Sequence, residues 1–262
     1  MEIFANHCHL LPPDSEVVAG KETLIKHLDA LGIERAVVFA PYSWRMGGNM
    51  VRANEWVLEE VYDEPRLIPF ATVNPIHPEA IRVLHMMHSE SVYGYKIHPS
   101  VDIYDLLDPR AMSFYSEAAN LDVLLDFHTG IHNSPLELAN PIKFDTILWT
   151  FPKLKINLEH IGGRFYYETI LAIAQNHSNT SRVFLGATSI LEKEKNKTFY
   201  LGIEKTINAI EKAGAHRIIY GLDFPWHSLE ENRSALEKIM SLEISKVEKQ
   251  KILGVNLHNL LN

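Results

Sequence analysis

The 262-residue chain has a single cysteine, Cys8, so no disulfide can form within it and no cysteine-based zinc finger can be assembled. It has no run of 18 or more apolar residues, which excludes a membrane-spanning helix of ordinary length. No basic-then-apolar leader opens the sequence, and the expected location is the cytoplasm. Charge is not concentrated either. A formal net charge of -8 arises from 33 acidic and 25 basic residues that are interspersed, and without a basic stripe nucleic acid is not an expected partner. No GxGxxG follows the first apolar run and no GxxxxGK[ST] occurs, which removes the usual phosphate loops of open α/β sheets. Internal repeats, low-complexity tracts and linkers are missing too, so one domain over residues 1–262 is the simplest organisation. What the chain does have is 46% hydrophobic and 22% charged residues, enough apolar mass at this length for one large core.

Apolar, β-branched runs alternate with amphipathic segments from end to end. The runs Ile3–Asn6, Ala36–Ala40, Leu67–Thr72, Tyr93–Ile97, Val123–Phe127, Lys155–Leu158, Val183–Leu185 and Ile218–Tyr220 read as strands. Helical patterns lie between them at Lys21–Leu31, Asn49–Val61, Pro78–His88, Pro109–Asn120, Leu136–Trp149, Tyr166–Gln175 and Phe199–Ala213, with Leu229–Met240 and Ser245–Leu253 after the last strand. Short strands separated by helices imply right-handed βαβ units and a parallel sheet. Eight such units in about 250 residues predict an α/β fold, a closed (β/α)8 TIM barrel.

Active sites of such barrels lie at the C-terminal strand ends. Polar residues gather there. His7 and His9 end the first run, Lys96 and His98 the fourth, His128 follows the fifth, His160 the sixth and Asp223 the eighth. The His7-Cys8-His9 pair alone is a weak signal, because 14 histidines in this length give roughly 0.7 such pairs by chance. On a strand, however, residues two apart share a side, so both imidazoles project together and Cys8 faces away. Three imidazoles and a carboxylate (His7, His9, His128 and Asp223) make a donor set for a divalent cation with a position open to water. Water on such an ion has a pKa of about 7. His160 is the expected proton-transfer group, and Asp223 could share that role through its second oxygen. Substrate contacts are expected from Lys96, His98, Arg164 and Trp226, with Tyr42, Trp44, Arg45 and His227 in the same class of loops. His132 lies four after His128, but Gly130 and Pro135 argue against a shared helix face.

The pattern resembles the metal-dependent amidohydrolase superfamily, and within it the amidohydrolase-related branch that includes aminocarboxymuconate semialdehyde decarboxylase. The resemblance runs from His7 to the C-terminus on His-x-His, Gly94-x-Lys96-x-His98-Pro99, His128-Thr-Gly130, His160-Ile-Gly-Gly163, Gly221-x-Asp223-x-Pro225 and Ile252-Leu-Gly-Val-Asn256. It implies a single (β/α)8 barrel, a zinc ion first among divalent metals, ligands at His7, His9, His128 and Asp223, and a catalytic histidine at His160. One departure stands out: where the family carries an acid two residues before the first histidine, this chain has Ala5. Relatives with two metals use a carboxylated lysine at the end of strand four, which makes Lys96, with His160, a candidate for a second ion; one ion per chain is the expectation. The implied function is a hydrolase acting on an amide, lactone or ester of a small molecule. A non-oxidative decarboxylase of a small unsaturated or aromatic acid is the alternative, and a non-catalytic metal-binding barrel a third. A homodimer is compatible with all three.

Overall fold

The computed structural model describes residues 2–193 and 197–261. Eight parallel strands close on one another in sequence order: β1 (Phe4–His9), β2 (Arg35–Phe39), β3 (Leu67–Thr72), β4 (Gly94–Ile97), β5 (Leu124–Phe127), β6 (Lys155–Glu159), β7 (Val183–Ala187) and β8 (Ile218–Phe224). The helices are α1 (Lys21–Leu31), α2 (Met50–Val61), α3 (Ala80–Ser89), α4 (Pro99–Asp102), α5 (Pro109–Asn120), α6 (Ile142–Thr150), α7 (Gly163–Asn176), α8 (Gly202–Ala213), α9 (Leu229–Ser241), α10 (Lys246–Gln250) and α11 (Asn256–Leu261). The expected single-domain (β/α)8 barrel is the fold, and no described helix is long and apolar enough to cross a membrane.

The packing follows from the two periodicities. In β2, Ala36 and Val38 join the layer between sheet and helices, while Val37 and Phe39 point into the barrel. Both faces are buried, which is why the strands read as continuous apolar runs. α1 buries Leu24, Leu28 and Leu31 at helical spacing and stops at Gly32, held at φ 66. The barrel interior is layered. Its lower half is filled by Phe4, Val37, Phe39, Phe70, Leu124, Phe184 and Ile219, closed underneath by Leu257 of α11. Gly94 makes room for this plug, since a Cβ there would lie 2.1 Å from the Phe70 ring. Above Phe39 the interior turns polar.

Two expected helices are divided. Leu136–Trp149 is a short 3-10 turn, Leu136–Ala139, followed by α6, because Asn140 precedes Pro141 and is driven to an extended conformation (φ -61, ψ 109). Ser245–Leu253 is α10 followed by an irregular stretch over Lys251–Val255 before α11. β1 and β8 run three and four residues past their expected ends. The apolar pattern stops where the strands turn functional, so His7, His9 and Asp223 lie within strands rather than beyond them.

Candidate active site

A cavity of about 390 Å³ opens at the C-terminal ends of the strands. His7, His9, Lys96, His98, His128, His160 and Asp223 line its floor, and Tyr42, Trp44, Arg45, Phe199 and Trp226 form much of its wall. Seven residues expected at the site from five separate strand ends therefore meet in one place, with Trp226 beside them.

β1 does not deliver its two histidines by simple alternation. The register slips between Asn6 and Cys8, and His7 sits at φ 65. Such a bulge re-aims a side chain at the rim of a barrel. The two rings still converge, edge to face, with centroids 5.2 Å apart. Cys8 is buried, with Sγ 4.0 Å from the Asn6 carbonyl, and lies away from the cavity as expected.

His7 Nε2 and His9 Nε2 lie 3.6 and 4.0 Å from Asp223 Oδ1. Donors on a tetrahedral ion at ordinary bond lengths are separated by roughly 3.4 Å. These three residues are close enough to hold one divalent cation, their donor atoms all falling within 4.8 Å of one another. His128 lies on the same floor but outside that tight group. Its ring is 4.9 Å from His160 and stacks on His98 at 3.8 Å, and its buried Nε2 has no hydrogen-bond partner. An orphaned imidazole nitrogen on the same cavity floor as three gathered donors fits a metal site.

The charge states agree. Burial holds His7, His9 and His128 well below the usual imidazole pKa, with further lowering from the Lys96 charge, so each offers a lone pair at neutral pH. Burial pushes the Asp223 carboxyl upward, but His7, His160, His9 and the Ser189 hydroxyl outweigh it and hold the group well below the usual carboxylate range.

Under this floor lies a polar layer that the sequence reading did not single out. Asn6 Nδ2 donates to Asp126 Oδ2 at 2.7 Å and to Glu159 Oε1 at 2.7 Å. Asn157 Nδ2 bridges the same two oxygens at 2.9 and 2.6 Å. Lys96 Nζ sits 3.3 Å from Asp126 Oδ1 and 4.8 Å above the Phe39 ring. Glu159 Oε1 is also 3.3 Å from His7 Nδ1. A carboxylate therefore stands beside the first metal-type histidine, Glu159 on β6, although Nδ1 makes no hydrogen bond to it. Gly186 leaves the space for it, because a Cβ there would lie 2.2 Å from Glu159 Oε2.

Two imidazoles have opposite tautomers. His160 Nδ1 is 2.9 Å from the Thr188 carbonyl, which can only accept, so Nδ1 carries the proton and Nε2 is bare. His98 Nδ1 accepts from the Val101 backbone N–H at 3.3 Å as the N-cap of α4, which puts its proton on Nε2. Burial lowers the His160 pKa, against opposing contributions from Asp223 and Glu159. Asp223 does not have a free second oxygen, since Oδ2 takes the Ser189 hydroxyl at 2.6 Å. Arg164 falls outside the cavity. Gly162 and Gly163, both at positive φ, turn the chain into α7 and leave Arg164 on its exposed side. His227 is also outside, buried behind Asp223. The arginine that does line the cavity is Arg45, its guanidinium 4.3 Å over Trp44. His132 packs edge to face on His98 and His128 from a turn, not from a helix.

A family model described as Amidohydrolase matches residues 7–261, nearly the whole chain and every residue of this floor. The chain belongs to the amidohydrolase family. It is an enzyme of that family with a donor set for a divalent metal. No curated protein matches it in sequence. Solved structures similar to this amidohydrolase include an uncharacterised TIM-barrel protein from Bordetella bronchiseptica, with a TM-score of 0.79 at 18% identity over 100% of this chain and 98% of that one. A dihydroxybenzoic acid decarboxylase from Polaromonas with bound manganese and the inhibitor 2-nitroresorcinol superposes with a TM-score of 0.75 at 17% identity, covering 99% and 96%. A probable 2-pyrone-4,6-dicarboxylic acid hydrolase from Acinetobacter baumannii with bound citric acid gives 0.68 at 15%, covering 100% and 99%. At these identities the likeness carries the fold.

The signal that could have found the lower polar layer is alternation. Asn157 and Glu159 are two apart on one strand of the amidohydrolase barrel and face inward together, and Asp126 interrupts the apolar run Val123–Phe127.

Proposed function

We propose that this amidohydrolase is a metal-dependent hydrolase that cleaves an amide, lactone or ester of a small molecule. The observation that carries the reading is the bare Nε2 of His160, fixed by the Nδ1 bond to the Thr188 carbonyl and kept neutral by burial. A neutral imidazole facing the cavity accepts a proton, as hydrolysis requires of its base. His7, His9, Asp223 and the orphaned His128 Nε2 would hold one divalent ion per chain, zinc first on the chemistry of a three-imidazole, one-carboxylate set. When bound, such an ion supplies a Lewis acid for a carbonyl oxygen and a more acidic water.

The chain's own groups do the rest. His160 Nε2 takes a proton in the cavity and returns it to the leaving group. His98, with its proton on Nε2, is available to donate a hydrogen bond to a bound substrate. Lys96 is held by Asp126 as its counter-charge, which supports the one-ion reading over a bridging role with His160. Asp223 serves as a ligand rather than a base, because Ser189 occupies its second oxygen. Trp226, Trp44 and Arg45 shape the pocket, and Arg45 replaces Arg164 as the candidate anchor for an anionic substrate group. The site suits a small cytoplasmic metabolite rather than nucleic acid.

A second reading, decarboxylation of a small aromatic or unsaturated acid, draws on the aromatic wall of Tyr42, Trp44, Phe199 and Trp226 and on the activity named for the Polaromonas protein. It needs His160 as a proton donor, and burial opposes that state. The test is turnover of lactone, ester, amide and aromatic acid panels by metal-loaded protein. Hydrolysis that falls by at least about 100-fold in His160→Asn supports the proposal; carbon dioxide release as the only activity overturns it.

A further inference from the structure

Asp223 is gripped from behind. Its Oδ1 faces His7 Nε2 and His9 Nε2 at 3.6 and 4.0 Å. Its Oδ2 accepts a 2.6 Å hydrogen bond from the hydroxyl of Ser189, the second residue after β7. The Ser189 oxygen is in turn 2.8 Å from His227 Nε2. A hydroxyl has one proton, and it is committed to the carboxylate, so His227 Nε2 must be the donor in the second bond. His227 Nδ1 lies 4.0 Å from Glu231 Oε2, one turn further along at the start of α9. The backbone N–H groups of Trp226 and His227 both donate to the Asp223 carbonyl, at 2.7 and 3.2 Å.

We propose that Ser189 and His227 form a positioning clamp on Asp223 that commits one carboxylate oxygen to the metal and withholds the other. The inference rests on the metal reading of the site but concerns residues outside the ligand set and outside the cavity. Two features set the clamp apart from incidental packing. Ser189 is held at φ 62, a left-handed conformation that a serine adopts at a cost, so the surrounding structure imposes it. His227 is only 4% exposed and directs its polar edge at Ser189 rather than at the cavity or solvent. The Ser189–His227–Glu231 order also has the outline of a nucleophile with its base and orienter. The hydroxyl proton bonded to Asp223 and the placement of Ser189 and His227 outside the cavity lining argue against that role.

The clamp predicts a weaker and altered metal site without loss of fold. Ser189→Gly is the informative variant, because glycine relieves the positive φ while deleting the hydroxyl. Cobalt-loaded protein gives a visible spectrum that reports ligand geometry, and competition with a chromophoric chelator gives affinity. Ser189→Gly should bind cobalt about 10- to 100-fold more weakly, the usual cost of losing a partner behind a ligand, with a changed cobalt spectrum and a cooperative melting transition retained. His227→Leu should shift both readings the same way, and His227→Gln, whose amide can still donate to Ser189, should restore them in large part. Parent-like affinity and spectrum in both Ser189→Gly and His227→Leu overturn the clamp while leaving the metal site standing. Absence of metal binding by the parent protein overturns both. Covalent capture of Ser189 by a fluorophosphonate also overturns the clamp, since it would make the hydroxyl a nucleophile.

Discussion

Replacing Glu159 separates what this carboxylate does for the fold from what it does for the metal site. It is fully buried, and its Oε1 receives Asn6 at 2.7 Å and Asn157 at 2.6 Å and lies 3.3 Å from His7 Nδ1. Its Oε2 has no partner. Glu159→Ala would leave one N–H of each asparagine without an acceptor, at about 1–3 kcal/mol apiece, before any cavity term. That sum is a large part of a typical domain stability of about 5–15 kcal/mol, so alanine confuses unfolding with site loss. Glu159→Gln is nearly isosteric. Its carbonyl oxygen can take the place of Oε1 and keep both asparagine bonds, while its amide nitrogen occupies the unpartnered Oε2 position. It also removes a carboxyl that sits beside Asp126, whose pKa is raised by burial first and by Glu159 second. The glutamine variant should therefore melt at or above the parent temperature in the metal-free state. Its metal affinity should nevertheless fall about 10- to 100-fold, or roughly 1.4–2.7 kcal/mol, because the negative charge 3.3 Å from His7 Nδ1 is lost. Chelator competition and calorimetric melting of the same samples measure the two effects. Parent-like metal affinity in Glu159→Gln refutes a role for the Glu159 charge beside His7.

Gly186→Ala attacks the same group sterically. Its Cβ would lie 2.2–2.6 Å from the Glu159 carboxyl, so the side chain must move; about 1–3 kcal/mol of stability should be lost, with metal affinity falling non-additively when combined with Glu159→Gln. His128→Ala should lose metal and activity together while remaining folded, read by elemental analysis and circular dichroism. Asp102, half-buried at the end of α4, is raised by burial to about 7. The folded state then holds this proton more tightly than the unfolded chain, so its presence lowers stability as pH rises from the ordinary carboxyl range through 7. Asp102→Asn should exceed the parent at pH 8 by roughly 1–2 kcal/mol after allowance for solvent screening, with the difference vanishing near pH 4 in denaturant titrations.

Most of the fold was legible because each strand of a parallel barrel is buried on both faces and so appears as an apolar run. Strand ends were the weak point for the same reason. β8 continues through Gly221-Leu-Asp-Phe224, and β1 through His7-Cys8-His9, where interior positions become polar and the apolar signal fades. The cavity floor was readable from four strand ends that carry histidine and a fifth that carries Asp223, a gathering that chance does not give. What supports the floor was not. Glu159, Asp126, Asn6 and Asn157 act across strands, and Ser189 reaches Asp223 from 34 residues away in sequence. Arg164 was misplaced because two glycines at positive φ decide where the chain after His160 points, and sequence pattern does not reveal that direction.

The central claim is that the metal-loaded site performs hydrolysis with His160 as base. Turnover of a lactone or ester substrate in isotopically heavy water, followed by mass spectrometry of the product, tests it most directly. Hydrolysis with His160 as base puts one heavy oxygen in the product carboxylate and leaves the carbon count unchanged, with the label uptake collapsing in His160→Asn. A product one carbon shorter than its substrate, formed with release of carbon dioxide and no heavy oxygen, would contradict it.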